Sequence, residues 1–249
     1  MNGGEISGNT GGGVYNDGTF IVNGGKISVN TSSSFYGGGV HNGVIYTMVD
    51  GVYKAVKGNF TMNGGEISGN TGSFGGGVFN HGVFTMEDGK ISGNTAFFYG
   101  GGTDNNGTFT MKGGIISGNN TFFYGGGVSN RVDYTYTYDG YEPDRIFIMI
   151  GGEISGNTAS YGGGGVYVGN EMLFNKNGGI ITGYSEGDNN SNIIKDDFGN
   201  VQKSQGHSVY AYNSNSNYIR YKDTPSGQTD VLLYNGKTDP PVWSGIWDN

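Results

Sequence analysis

Apolar side chains recur along this chain in three short phrases rather than in helical stripes. The first reads GG-x-I-S followed by G-N-T, the second GGG-V-x-N, and the third G-T-F-x-M. Within each phrase apolar and polar residues alternate, and Gly or Asn stands at either end, which is the pattern of a half-buried strand bounded by turns. No stretch of useful length carries a helical period. The isoleucines of the first phrase are Ile6, Ile27, Ile67, Ile91, Ile116, Ile154 and Ile181, spaced 21, 40, 24, 25, 38 and 27 residues apart, and residues 62–71 repeat residues 1–10 without a change. Periods of this size mark solenoids. The pattern predicts an all-β fold, a right-handed parallel β-helix with three short strands per coil and about seven coils over residues 1–183, its hand following the preference of parallel crossovers. Residues 184–249, where the pattern fails, are expected to form a C-terminal β cap or an irregular last coil, because the end of a solenoid needs covering.

Equivalent residues of successive coils stack at the strand spacing, so columns can be read from the repeats. Four are expected to point inward: the isoleucines; Val14, Val40, Val78, Thr103, Val128 and Val166; Phe20, Phe60, Phe84, Phe109, Phe147 and Phe174; and Met1, Val22, Met62, Met86, Met111 and Met149. Two asparagine columns mark corners and predict ladders of stacked amides. They are Asn9, Asn30, Asn70, Asn94, Asn119 and Asn157, and then Asn16, Asn42, Asn80, Asn105 and Asn130. Tyr184 stands where the first would continue. An exposed column runs Glu5, Lys26, Glu66, Lys90, and its alternating sign suits stacked neighbours.

Two inserts interrupt the repeat at one corner, residues 43–58 and 131–145. Each alternates apolar and polar residues around Asp50-Gly51 or Asp139-Gly140, a type I′ hairpin signal. A second variable corner precedes GGG and places Tyr36, Phe74, Tyr99, Tyr124 and Tyr161 in one expected column, with Phe98 and Phe123 beside it. These seven rings are the candidate ligand-binding residues. They either cap the core or form an exposed ladder for a glycan or protein surface.

Composition narrows the chemistry. The 53 glycines without proline periodicity suit tight bends rather than collagen. The net charge is −8, and the arginines are only Arg131, Arg145 and Arg220, so nucleic-acid binding is not expected. Without cysteine there are no disulfides or thiolate sites. No apolar run is long enough for a transmembrane helix, and no signal peptide opens the chain. The outward columns Tyr15, His41, Phe79, Asp104, Ser129, Tyr167 and Asp17, Gly43, His81, Asn106, Arg131, Gly169 change type from coil to coil, as solvent-facing positions do. His41, His81 and Asp104 approach one another there, yet no carboxylate pair, metal motif or nucleophile constellation stands out. Asp188, Asp196 and Asp197 form an acidic stretch of the kind that holds calcium, and His207 reads as a cap residue. No catalytic residue, metal or cofactor is expected. The serine row Ser7, Ser28, Ser68, Ser92, Ser117, Ser155 with Thr182, and the row Thr61, Thr85, Thr110 broken by Ile21 and Ile148, give a remote ice-binding alternative.

GGEISGNT, GGGVYN and GTFTMNGG resemble the repeats of adhesin-like bacterial surface proteins with right-handed β-helices, and are loosely similar to the GG-x-I repeats of polymorphic outer-membrane proteins. GHSVYAY at 206–212 looks like a segment that closes such arrays. The resemblance implies a non-catalytic, secreted or surface-anchored adhesin or interaction scaffold, located outside the cell or on the outer membrane. The alternative is a carbohydrate-active β-helix enzyme, a polysaccharide lyase or glycoside hydrolase. Because Met1 falls inside the methionine column, the chain is expected to be a fragment whose uncapped first coil is open to edge-to-edge self-association.

Overall fold

The computed structural model describes residues 1–33, 36–132, 145–170, 172–183, 189–196, 198–201 and 208–211, together with the backbone alone of 52–53, 219–221 and 231–234. Within these residues the chain is a stack of short strands in parallel sheets, a β-solenoid with no helix. Accordingly, no helix among the described residues is long and apolar enough to cross a membrane.

Three long sheets correspond to the three phrases. The isoleucine sheet has seven strands, from Asn2–Ser7 at one edge to Ile180–Ile181 at the other. The valine sheet also has seven, from Val14–Asn16 to Val209–Ala211. The phenylalanine sheet runs in parallel from Thr19–Val22 to Leu173–Lys176 and is continued by Val231–Tyr234 and Ile219–Tyr221, both antiparallel to their neighbours. A fourth sheet, which three strands per coil does not anticipate, occupies the variable corner. Its strands are Thr71–Phe74, Thr95–Tyr99, Asn120–Thr121, Thr158–Ala159 and Ile193–Ile194. Gly72, Ala96, Thr121, Ala159 and Ile194 are buried beneath it, and the small residues among them let the corner lie close to the core.

The inward columns are in register. Ile91 pairs with Ile67 and Ile116, Val78 with Val40 and Thr103, and Phe84-Thr85-Met86 with Phe60-Thr61-Met62 and Phe109-Thr110-Met111. From Phe60 to Phe174 the phenylalanines are completely buried and stack face to face, with centroids 4.6–4.9 Å apart. A parallel stack at that distance adds ring–ring attraction to the burial term of each side chain. The column of alternating charge is also in register, Glu5 against Lys26, Lys26 against Glu66, and Glu66 against Lys90.

The asparagine ladders join the coils through fully used amides. Asn94 accepts from the backbone N–H and the Nδ2 of Asn70 (both 2.9 Å), and its own Nδ2 donates to the Ile67 carbonyl (2.9 Å) and to Asn119 Oδ1 (3.0 Å). The same set repeats at Asn30, Asn70, Asn119 and Asn157. The ladder does not stop at Asn157: Asn192 continues it, accepting from Asn157 Nδ2 at 2.9 Å, while Tyr184 lies outside the described residues. The second ladder runs Asn16, Asn42, Asn80, Asn105, Asn130 at 2.7–2.8 Å. A third, exposed ladder joins Asn63, Asn23 and Asn2, and the Glu87–Lys112 ion pair (2.7 Å) takes the corresponding place further on.

The first insert is the expected hairpin. Val44–Val49 and Val52–Lys57 pair antiparallel, Val49 opposite Val52, and both turn residues have positive φ (Asp50 54°, Gly51 77°), which defines type I′. The turn at Asp139-Gly140 lies outside the described residues, as do His207, Asp188 and Asp197.

Three substitutions test this packing. A Cβ on Gly101 would stand 2.5 Å from the carbonyl oxygens of both Asn120 and Gly126 in the next coil, whereas one on Gly18 meets nothing within 4 Å. Gly101→Ala is therefore expected to lower stability by about 2 kcal/mol or more, and Gly18→Ala to change it by less than about 0.5 kcal/mol, both read from urea unfolding. Thr103 stands among the inward valines with its Oγ1 fully buried and unbonded among the described residues. Thr103→Val keeps the shape and removes an unsatisfied hydroxyl, so its unfolding midpoint should rise, by about 1 kcal/mol in stability.

Candidate functional site

The aromatic corner is built by the fourth sheet and by a bulge within it. Thr71 and Gly72 pair with Thr95 and Ala96, but the register then shifts, so that Phe74 pairs with Tyr99 and Ser73 alone stands against Phe97 and Phe98. From that coil onward the corner is one residue longer. Alternation along Thr95–Tyr99 turns Ala96 into the core and Phe97 outward, and Phe122 does the same one coil later. Phe97 and Phe122 are each 52% exposed.

The rings fall into two groups. Phe74, Tyr99 and Tyr124 form an inner column of nearly parallel rings, with centroids 6.1 and 5.9 Å apart and planes within 9° and 15°. Phe98 stacks on Phe74 (5.2 Å) and meets Phe123 (5.7 Å), which in turn stacks on Tyr161 (5.3 Å). Rings stacked along the solenoid axis cover one another's faces and offer solvent mainly their edges. Phe97 and Phe122 differ, because Phe97 meets Phe98 edge-on at 83°, and the two outer rings are 5.6 Å apart at a 48° tilt. No parallel ring among the described residues covers either of them.

Tyr161 does not belong to the column assigned to it. Residue 162, not 161, pairs with Tyr124, because this coil carries four glycines where the others carry three. Tyr161 is moved one place outward to the Phe123 column and is 47% exposed. The ring of Tyr210 lies against Gly162, where a Cβ would be 2.9 Å from it, and fills the space of the missing tyrosine. Tyr36 is 41% exposed and meets His41 and Tyr15 edge-on.

Beyond its edge strand, where Tyr15 is exposed as expected, the outward face of the valine sheet is not solvent-facing. His41, Phe79, Asp104, Ser129 and Tyr167 are in register and all buried, Asp104 completely. The inner rings fold over this face and form a second layer. Tyr124 lies 4.6 Å from Tyr167, Phe74 lies 5.7 Å from Phe79, and Tyr36 lies 4.9 Å from His41. A variable column thus became a second core because the corner of the same coils closes over it.

One ion pair lies inside this layer. Arg131 donates from Nη2 (2.8 Å) and Nε (3.1 Å) to Asp104 Oδ2, and its guanidinium carbon is 4.3 Å from the Tyr99 centroid and 4.7 Å from that of Phe74. A buried carboxylate needs such a charge-assisted partner, and the rings add cation–π attraction. Asp104 is thereby engaged by Arg131. His41 and His81 do lie together, with ring centroids 5.7 Å apart and Phe79 against both. Asp196 holds the turn after Ile193–Ile194 by accepting from Phe198 N (3.0 Å) and Asn200 N (2.8 Å). Among the described residues no group of three His, Asp or Glu is placed to hold a metal ion.

No protein-family model matches the chain, and comparison with curated proteins and solved structures found no similar one.

Burial holds the His41 imidazole neutral, lowering its pKa from 6.5 to about 4. Tyr15 stacks parallel to it at 4.9 Å, with Tyr36, Phe79 and His81 on the other sides, and its Nδ1 has no hydrogen-bond partner among the described residues. In the unfolded chain the same group takes up a proton near pH 6.5. Its contribution is therefore complete above that pH and is lost as the pH falls through 6.5 towards 4, by about 3 kcal/mol at most. His41→Phe should remove this component, so that the loss of stability between pH 7.5 and 4.5 is smaller in the variant by about that amount. Equal pH slopes for the two proteins would contradict it.

Proposed function

We propose that this chain is a non-catalytic interaction scaffold of the adhesin type, working outside the cell or on its surface, with the outer rings of the aromatic corner as its contact surface. The scaffold is a right-handed parallel β-helix of about seven coils, the hand that parallel crossovers favour. One observation carries the reading. Phe97 and Phe122 stand half-exposed on adjacent coils with no parallel ring among the described residues stacked on either, beside Tyr161, on a frame whose core phenylalanines and inner rings are occupied by packing. Exposed rings clustered on a rigid support are the usual mark of a recognition surface. The adhesin-type repeat phrases agree with this. Engagement of Asp104 by Arg131 and burial of His41 leave the best polar cluster occupied in support of the fold, which favours binding over catalysis.

The test is a glycan and extracellular-matrix array probed with the parent chain and with Phe97→Ala/Phe122→Ala. Binding should fall about tenfold or more in the variant, with circular dichroism unchanged, since neither ring is part of the buried core. Undiminished binding by a folded variant would remove the corner from consideration. Tyr99→Ala/Tyr124→Ala is expected instead to destabilise the chain, because it strips the cover from Arg131 and Tyr167.

A further inference from the structure

We infer that the ligand of this corner is a neutral, linear polysaccharide lying along the solenoid axis, one sugar per coil. The inference rests on the contact surface proposed above and adds the class of ligand.

The fourth sheet offers two outward rows. Over its first four strands one is Thr71, Thr95, Asn120 and Thr158 and the other is Ser73, Phe97, Phe122 and Ser160; the fifth continues them with Ile193 and Lys195. Their order follows from register, Thr95 pairing with Asn120 and Asn120 with Thr158. The strands and corner residues 71–74, 95–99, 120–124 and 158–161 contain no charged side chain. The side-chain hydroxyls of Thr71, Thr95 and Thr158 and the amide of Asn120 stand at the surface without a hydrogen bond to the described protein. A row of amide and hydroxyl groups thus runs beside a pair of open rings.

That arrangement matches the two-sided character of a pyranose, which has a patch of C–H groups on its face and hydroxyls around its edge. The face stacks on a ring, and the edge bonds to amides and hydroxyls. The surface repeats with the coil, whose rise of about 5 Å is close to the length of one sugar in an extended chain. Phe97 and Phe122 keep that step, with centroids 5.6 Å apart. A polymer of identical units fits a surface of repeated units, whereas a folded protein partner has no reason to share the coil period. A polyanion is disfavoured, because the four strands that carry the rings and the hydroxyl row hold no charged side chain, Lys195 standing one coil beyond Ser160, and the chain as a whole has a net charge of −8.

The experiment is affinity electrophoresis of the full chain through gels containing a soluble neutral β-glucan, a neutral mannan or polygalacturonate, followed by titration with neutral oligosaccharides of increasing length. Retardation is expected in at least one neutral gel and unchanged at high salt, with affinity rising over the first few sugars. Phe97→Ala/Phe122→Ala should weaken binding about tenfold or more, Phe97→Tyr/Phe122→Tyr should retain it, and Asn120→Leu, which leaves both rings, should weaken it severalfold. No retardation by any neutral polymer, preference for polygalacturonate, or retardation untouched by Phe97→Ala/Phe122→Ala and Asn120→Leu would overturn the glycan inference. If the array still showed binding to a matrix protein that the double alanine variant loses, the interaction scaffold would stand and only the ligand class would fall. No binding of either kind would remove both.

Discussion

The amide of an asparagine that meets its copy in the next coil is the contact on which this structure depends. Asn94 illustrates the constraint: two acceptances and two donations engage the whole side chain, and three of the four contacts involve the next or preceding asparagine itself. Such a group is satisfied only when successive coils keep one register. A slip by one residue would leave buried amides unpaired and turn the isoleucines out of the core. The glycines before the valine column enforce the same spacing sterically, since there is no room for a Cβ between Gly101 and the next coil. Attraction at the ladder and exclusion at the glycines together define a single distance and a single register, and every column follows from them.

Periodicity at the inner wall also explains the outer one. With the core reduced to four narrow columns, the outward face of the valine sheet would carry His41, Phe79, Asp104 and Tyr167 into water. The corner of the same coils lies over them instead, and the Asp104–Arg131 pair with its two rings ties that corner to the root of the second insert. The aromatic corner therefore has two layers with different duties. The inner rings are structural and stack on one another, while the outer ones, displaced by a single bulge, are left with open faces.

Much of this was legible in the sequence, because the repeat reports contacts directly: residues sharing a column are neighbours. The four inward columns, both principal ladders, the charge alternation and the Asp50-Gly51 turn could all be read that way. What could not be read depends on relations between columns or on a change of length. The burial of the His41 column needs the corner to fold across it, and within one coil an outward position looks solvent-facing. Tyr161 was displaced by one extra glycine, and Asn192 was hidden by the long detour before it. Phe97 and Phe122 were present in the text of the corner, but their difference from Phe98 and Phe123 appears only when Ala96 and Thr121 are recognised as inward residues of a strand. The exposed ladder of Asn2, Asn23 and Asn63 lies among glycines, where three asparagines alone do not stand out as a column.

Identical phrases in equivalent places have a genetic corollary. The segment 1–10 recurs unaltered at 62–71, and both copies occupy the same position in their coils, with Ile6 and Ile67 flanking Ile27 in one sheet. Recombination between such copies adds or removes whole coils, so the junction it creates already has its ladder asparagine, its glycines and its core residues in step. An exchange between these two copies would change the length by two whole coils while keeping the register of every column, so that the reach of the molecule could be altered in steps of the coil rather than of the residue.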